Sequence, residues 1–312
     1  MRDNNLSAML LTQGTSLAYF TSIRWQGGER LFAMVLPAKG EAFYVAPAFE
    51  EGRAREQIAK SPNSGNPDVR IWQEDESPYA RVAQGLSDRG IASGMIGVEE
   101  TAEFVFSDNL RKAAASATFT SATPVTAGCR MIKSQHEIDI MRLAANVTLA
   151  AYEATYRSMQ VGMTQRDVEE LLETAHRQLG FEGGADVQVS EFSAFPHGSV
   201  APQSIKEGSI VMIDGGCSVE GYQSDITRTF VLGKANDKMK QVFDTVHRAQ
   251  SAALAAARPG AEAGSVDAAA RKVIAGAGYG PDYKYFAHRL GHGIGMERPR
   301  VAASKSTTRA LQ

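Results

Sequence analysis

Gly162…Val168…Gly180-Phe181 aligns without gaps on Gly260…Val266…Gly278-Tyr279, at an offset of 98 residues. In both copies a glycine leads into a helical pattern that stops at a second glycine followed by an aromatic residue. Two readings stand side by side. Helices often start and stop this way, because glycine tolerates the left-handed backbone that ends them. Alternatively, the second half of the chain is a duplicated half-domain, with a site formed between the copies.

What lies between the copies bears on that choice. Ser209–Gly216 (SIVMIDGG) has the pattern of a buried strand that ends in an acid, and Ser224–Leu232 (SDITRTFVL) that of a second strand that begins with one. Between them Val219-Glu220-Gly221 supplies a tight turn, with the glycine free to take a positive φ. A hairpin centred at Val219/Glu220 sets Asp214 directly opposite Asp225. Cross-strand partners have Cβ atoms ~4.5–5.5 Å apart, and like charges there repel. Such a pair needs a shared proton or a bound cation. In a different register the two residues are ordinary strand-end acids.

Six histidines are present. His136, His176 and His247 fall on predicted helices, where a structural role suffices. Three others stand in unusual settings. His197 lies in the turn-forming Phe195-Pro-His-Gly198, and His288 and His292 lie in His288-Arg-Leu-Gly-His-Gly-Ile-Gly295. Glycines on both sides of His292 let backbone approach closely and leave the imidazole exposed. Imidazole beside carboxylates is a normal donor set for manganese, cobalt or zinc.

Before these motifs, the first ~120 residues alternate short apolar strands (Ser7–Leu11, Leu31–Val35, Ala42–Val45, Met95–Val98) with amphipathic helices at Phe49–Ala59 and Ser77–Ser87. Pro37-Ala-Lys-Gly40 reads as a hairpin turn. This is an α/β sheet domain without an evident catalytic constellation. A boundary is expected near Thr123-Pro-Val-Thr-Ala-Gly128. Beyond it, Ser134-Gln-His-Glu137 and Thr164-Gln-Arg-Asp167 are helix-start signals, and Asp237–Arg258 and Ser265–Ala277 are further helices.

Composition narrows the function classes. A net charge of −2 gives no basic surface for nucleic acid or an anionic membrane. Cys129 and Cys217 fit no zinc or disulfide spacing. No apolar run approaches the ~18 residues of a membrane helix. The N-terminus has no secretory pattern, so a cytoplasmic location is expected.

FPHG, VMIDGG, SDITRTF and HRLGHGIGME, in this order, resemble the signature of the pita-bread metallopeptidases. Arg130-Met-Ile-Lys-Ser134…Glu137 and the α/β segment before it resemble the creatinase/prolidase branch. The resemblance runs to Glu297. It implies an α/β N-terminal creatinase-like domain at 1–123, followed by an α+β pita-bread catalytic domain at 124–312. It also implies a dinuclear site for two divalent ions, manganese first and cobalt or zinc as alternatives. Asp214 would bind one ion, Asp225 would bridge both, and His292 would be the histidine ligand. His197 matches the active-site histidine that assists substrate binding or proton transfer, and His288 a second substrate-side histidine. The implied activity is metal-assisted hydrolysis of short peptides with proline in the second position. Homodimerisation through the N-terminal domain is implied as well, with Trp25 and Arg24–Arg30 as candidate contacts.

After Glu297 the sequence departs from the family pattern. Arg298–Gln312 contains neither an acid nor a histidine, and Pro299 stands where the pattern has a histidine. The catalytic domain is therefore expected to be incomplete after 297, without its last strands and two glutamate ligands, to bind metal weakly and to have low activity. The short start leaves room for an upstream export signal. Three alternatives follow. A creatinase-like hydrolase works without metal, which the Asp/Asp/His set argues against. A methionine-aminopeptidase-like enzyme lacks the N-terminal domain. A non-catalytic remnant would act only in binding or dimerisation.

Overall fold

The structure, a computed structural model, describes residues 1–25, 28–62, 65–195, 198–281 and 283–297. It divides into two compact units, Met1–Ile132 and Lys133–Gln312.

The first unit alternates strand and helix. Its elements are β1 (Ala8–Thr12), α1 (Thr15–Thr21), β2 (Ala33–Pro37), β3 (Phe43–Pro47), α2 (Glu51–Ala59), β4 (Asp68–Trp72), α3 (Pro78–Asp88), β5 (Met95–Val98), α4 (Phe104–Ala113), β6 (Thr118–Ser121) and α5 (Thr123–Met131). The strands form one mixed sheet in the order β4-β3-β2-β1-β5-β6. Side chains of a strand alternate between faces, and here both faces are buried. Ala8, Leu10, Ala33, Val35, Phe43 and Val45 pack under Val82 and Leu86 of α3 and Phe106 and Leu110 of α4. Met9, Leu11, Phe32, Met34, Tyr44 and Ala46 pack under Leu17 of α1 and Ala54 and Ile58 of α2. Burial on two faces explains why these strands read as unbroken apolar runs.

Two expectations change here. The segment Thr123–Gly128, read as the start of the second domain, is helical and belongs to the first unit. Its Thr126 hydroxyl donates to Glu100 Oε2 at 2.7 Å, and Arg130 pairs with Glu100 at 2.9 Å. Trp25, read as a subunit contact, is instead part of the unit's own interior. Its ring stacks on Phe32 with centroids 4.1 Å apart, Arg53 covers its face at 4.4 Å, and only 6% of the residue is exposed.

The second unit contains α6 (Gln135–Ser158), α7 (Gln165–Gln178), β7 (Glu182–Val189), β8 (Ile210–Val219), β9 (Tyr222–Gln223), β10 (Ile226–Val231), α8 (Asp237–Ala256) and α9 (Ala263–Gly276). Both expected helix starts are capping boxes, at Ser134/Glu137 and at Thr164/Asp167. Each satisfies two N–H groups that have no partner inside the helix. The sheet runs β10-β8-β7, with β9 on β8. Its helix-facing side buries Val187, Val189, Val211 and Ile213 against Tyr152 of α6, Met159 just after it, and Val168 and Leu172 of α7. The opposite side carries Met212 and Asp214, with Asp214 exposed.

The internal correspondence survives in three dimensions. Helices α7 and α9 have bounds that are 98 residues apart at both ends. Each closes with the same bond, Phe181 N–H to His176 C=O at 3.0 Å and Tyr279 N–H to Ile274 C=O at 3.1 Å, over a glycine at φ +87° (Gly180) or +90° (Gly278). This is a Schellman stop in duplicate.

Candidate metal centre

The hairpin between β8 and β10 decides where the carboxylates go, and its register differs from expectation. Val219 pairs with Tyr222 and Asp214 pairs with Thr227, so the turn is centred at Glu220/Gly221 rather than Val219/Glu220. Both central residues have positive φ, 52° at Glu220 and 92° at Gly221. That is the two-residue turn whose twist matches antiparallel strands. Asp225 therefore does not face Asp214. Thr227 does, and its hydroxyl donates to Asp214 Oδ1 at 2.5 Å. On the other side of β8 the residue opposite Asp214 is Asp186 of β7. Asp186 lies in none of the motifs read from the sequence. Only the β7–β8 register brings it to Asp214.

Asp225 sits in the break between β9 and β10, and α6 fixes the backbone on both sides of it. Thr148 Oγ1 and Ser224 Oγ are 2.7 Å apart, and Ser224 Oγ accepts from Cys217 N–H at 2.9 Å. Tyr152 Oη donates to Ile226 C=O at 2.9 Å. Thr148 and Tyr152 are one helical turn apart on the buried stripe of α6, so one helix face holds the residues before and after Asp225. Burial raises the Tyr152 phenol above its ordinary range, and the Asp214 and Asp225 carboxylates add to the shift. Both charges thus act on one hydroxyl.

His292 comes from the segment after α9. Gln223 N–H donates to Gly295 C=O at 2.9 Å and ties this segment to β9. His292 Nε2 then lies 3.5 Å from Asp225 Oδ2, while Nδ1 faces the Gly293 carbonyl at 3.1 Å. The Gly293 carbonyl and an ionised Asp225 both only accept, and a neutral ring carries one hydrogen for the two of them. His288 is exposed, with Nδ1 2.6 Å from the Arg289 carbonyl and its ring edge-on to Phe286 at 5.0 Å. His197 lies outside the described residues. On either side of it, Gly198 N–H donates to Phe195 C=O at 2.9 Å. The three histidines assigned structural roles all stand on helices. His176 of α7 is fully buried, with Nδ1 2.8 Å from Leu172 C=O.

The sequence model of metallopeptidase family M24 matches residues 139–312, and that of the creatinase/prolidase N-terminal domain matches residues 1–132. The chain belongs to metallopeptidase family M24, in its creatinase/prolidase branch. It is 30% identical to the Xaa-Pro dipeptidase of Pyrococcus horikoshii over 98% of this chain and 83% of that protein. Among solved structures, a dipeptidase from Pyrococcus horikoshii superposes with a TM-score of 0.85 at 30% identity, covering 100% of this chain and 85% of the other. Dipeptidase PepE from Mycobacterium ulcerans gives 0.86 at 32% identity, covering 95% and 78%.

As an M24 protein of this branch the chain is a metallohydrolase of the prolidase type. M24 peptidases use divalent ions, typically two. The donors present here fit such an ion by their chemistry. An imidazole nitrogen and a carboxylate oxygen face each other across 3.5 Å, and two aspartates are cross-strand partners. Nitrogen and oxygen donors of this kind suit a divalent ion, and the paired carboxylates favour a cation beside them. Among the described residues no three His, Cys, Asp or Glu side chains converge closely enough to hold an ion. The gathered elements are the Asp225/His292 pair and Asp214 on the adjacent strand. Among the described residues no helix is long and apolar enough to cross a membrane.

Proposed function

We propose that this chain hydrolyses the Xaa-Pro bond at the N-terminus of short peptides, with two divalent ions, manganese first, at a site built from Asp214, Asp225 and His292. The observation that carries this reading is the approach of His292 Nε2 to Asp225 Oδ2 at 3.5 Å in a chain of the prolidase branch. Relatives named Xaa-Pro dipeptidase from Pyrococcus horikoshii and Lactobacillus delbrueckii, at 30% and 29% identity, support the proline preference.

When bound, such ions polarise the scissile carbonyl and make water nucleophilic near neutral pH. The chain's own residues have four tasks in this reading. Asp214 and Asp225 neutralise the ions, and Thr227 orients Asp214. His292 offers Nε2, the ring nitrogen that faces Asp225. His197 and His288 serve the substrate in this reading, as imidazoles that assist its binding or proton transfer. The two domains take the roles of a creatinase-like N-terminal domain and a pita-bread catalytic domain, and the working form is a homodimer in the cytoplasm.

Manganese titration by calorimetry, with Asp225→Asn as control, tests the metal site, and hydrolysis of Xaa-Pro against Xaa-Ala dipeptides tests the specificity. Weak manganese binding that is lost in the variant, together with slow but preferential Xaa-Pro cleavage, is expected. A folded chain that binds neither manganese, cobalt nor zinc would overturn the proposal. Equal cleavage of both dipeptides would leave a metallodipeptidase without proline preference.

A further inference from the structure

Asp267 and Arg271 lie one turn apart on α9 and form a part-buried ion pair. Arg271 Nε is 2.6 Å from Asp267 Oδ2, with side chains 17% and 25% exposed, and Arg271 Nη2 adds a second contact to Oδ1 at 3.4 Å. An ordinary pair of this spacing would end there. This one extends to backbone that α9 does not contain. Arg271 Nη1 donates to Phe286 C=O at 2.9 Å, and Nη2 donates to His288 C=O at 2.6 Å. Asp267 Oδ1 accepts from Leu290 N–H at 2.8 Å. The guanidinium also lies over the Tyr283 and Phe286 rings, at 4.0 and 4.4 Å from their centroids.

We infer that Asp267 and Arg271 are positioning residues: they set the backbone of Phe286–Leu290 and thereby present the His292 imidazole to Asp225. The inference rests on the reading of Asp225 and His292 as metal ligands.

Three observations carry it. The bonded groups belong to residues 286, 288 and 290, alternate positions of a segment that has no strand partner of its own. The segment bends at these residues and joins no ladder, so its backbone polar groups need other partners. The far end of the segment is held at Gly295 by Gln223, so His292 lies between two anchors, two residues beyond Leu290. Finally, the first half of the domain uses the same device. Glu169 of α7, which is 98 residues before Asp267, accepts from Val187 N–H of β7 at 3.3 Å. In each half a helix carboxylate grips the segment that follows its own helix. Arginine is required because a planar fork of five donors reaches a carboxylate and two carbonyls at once, whereas an ammonium cannot.

The test compares the full chain with Arg271→Met and Arg271→Lys. Amide hydrogen exchange is measured on the metal-free proteins and manganese affinity by calorimetry. The expected result is exchange at least ten-fold faster within 286–292, unchanged exchange in β7–β10, and affinity lowered roughly 10–100-fold, as for loss of a residue that orients a ligand. Arg271→Lys keeps the charge and the stem, so it reads the same effect if the methionine variant does not fold. Unchanged exchange in 286–292 overturns the inference. So does faster exchange with unaltered affinity, because the anchor would then not govern His292. If the parent chain binds no metal but the variants still loosen 286–292, the positioning stands and the metal-ligand reading fails.

Discussion

The His292 imidazole meets Asp225 with Nε2 3.5 Å from Oδ2, while the Gly293 carbonyl holds Nδ1. Both neighbours only accept and a neutral ring has one hydrogen for the two of them, so a cation between Nε2 and Oδ2 would satisfy the pair. The two residues are held by separate devices. Asp225 is fixed through Ser224 and Ile226 to α6, and His292 by Gln223 and the ion pair on α9. If the proposed site is right, disturbing either holder weakens manganese binding with Asp225 and His292 themselves unaltered.

Thr227 offers the simplest case. Its hydroxyl donates to Asp214 Oδ1 at 2.5 Å and is the donor that fixes the orientation of this carboxylate. Thr227→Val removes the donor and keeps the shape. Manganese affinity, read by calorimetry, should fall about 10–100-fold, and Thr227→Ser should restore most of it. Equal affinity in parent and valine variant would show that Asp214 needs no orienting group.

Asp186 opposite Asp214 makes a different prediction. Like charges directly across a ladder are destabilising, by about 0.2–1 kcal/mol. Asp186→Asn should therefore raise the urea midpoint of the metal-free protein. The gain should shrink at saturating manganese, where the bound charge already offsets the repulsion. A midpoint lowered in the absence of metal would contradict this account.

Gly216 has no room for a side chain. A Cβ built there falls 2.2 Å from the Ser224 carbonyl oxygen and 2.6 Å from its Oγ. Gly216→Ala must push Ser224 away, and Asp225 with it. A loss of about 1–3 kcal/mol in stability is expected from overpacking, together with weakened manganese binding. Chemical denaturation and calorimetry on the same preparation check both effects.

Glu99, between β5 and α4 in the first unit, is 3% exposed. Burial is the largest influence on its carboxyl and raises its pKa, against donors from Thr12, Ser16 and Thr101 that lower it. The folded state thus binds this proton more tightly than the unfolded chain, whose value is near 4.5. The stabilisation is complete below that pH and is lost as pH rises through the folded pKa. Glu99→Gln cannot ionise, so its stability should decline less between pH 4.5 and 8. Trp25 and Trp72, the chain's two tryptophans, both lie in this unit, so their fluorescence reports its unfolding. Parallel pH profiles in parent and variant would refute the assignment.

What the sequence determined by itself was local. The capping boxes at Ser134 and Thr164, the doubled helix stops at Gly180 and Gly278 and the strand around Met95–Val98 all depend on residues within a few positions of one another, where side-chain chemistry and backbone sterics act directly. The motif histidines and aspartates were visible for the same reason. Register was not. Gly221 announces a positive φ, but nothing in Glu220 announces another, and moving the turn by one residue exchanges Asp225 for Thr227 as the partner of Asp214. Asp186 was hidden as well, because its partner is chosen by the pairing of whole strands. The approach of His292 to Asp225, across 67 positions of chain, depends on bonds from α6, β9 and α9. Such contacts exist only after the helices have packed on the sheet, since no single one of them outweighs the entropy of ordering the chain between its ends.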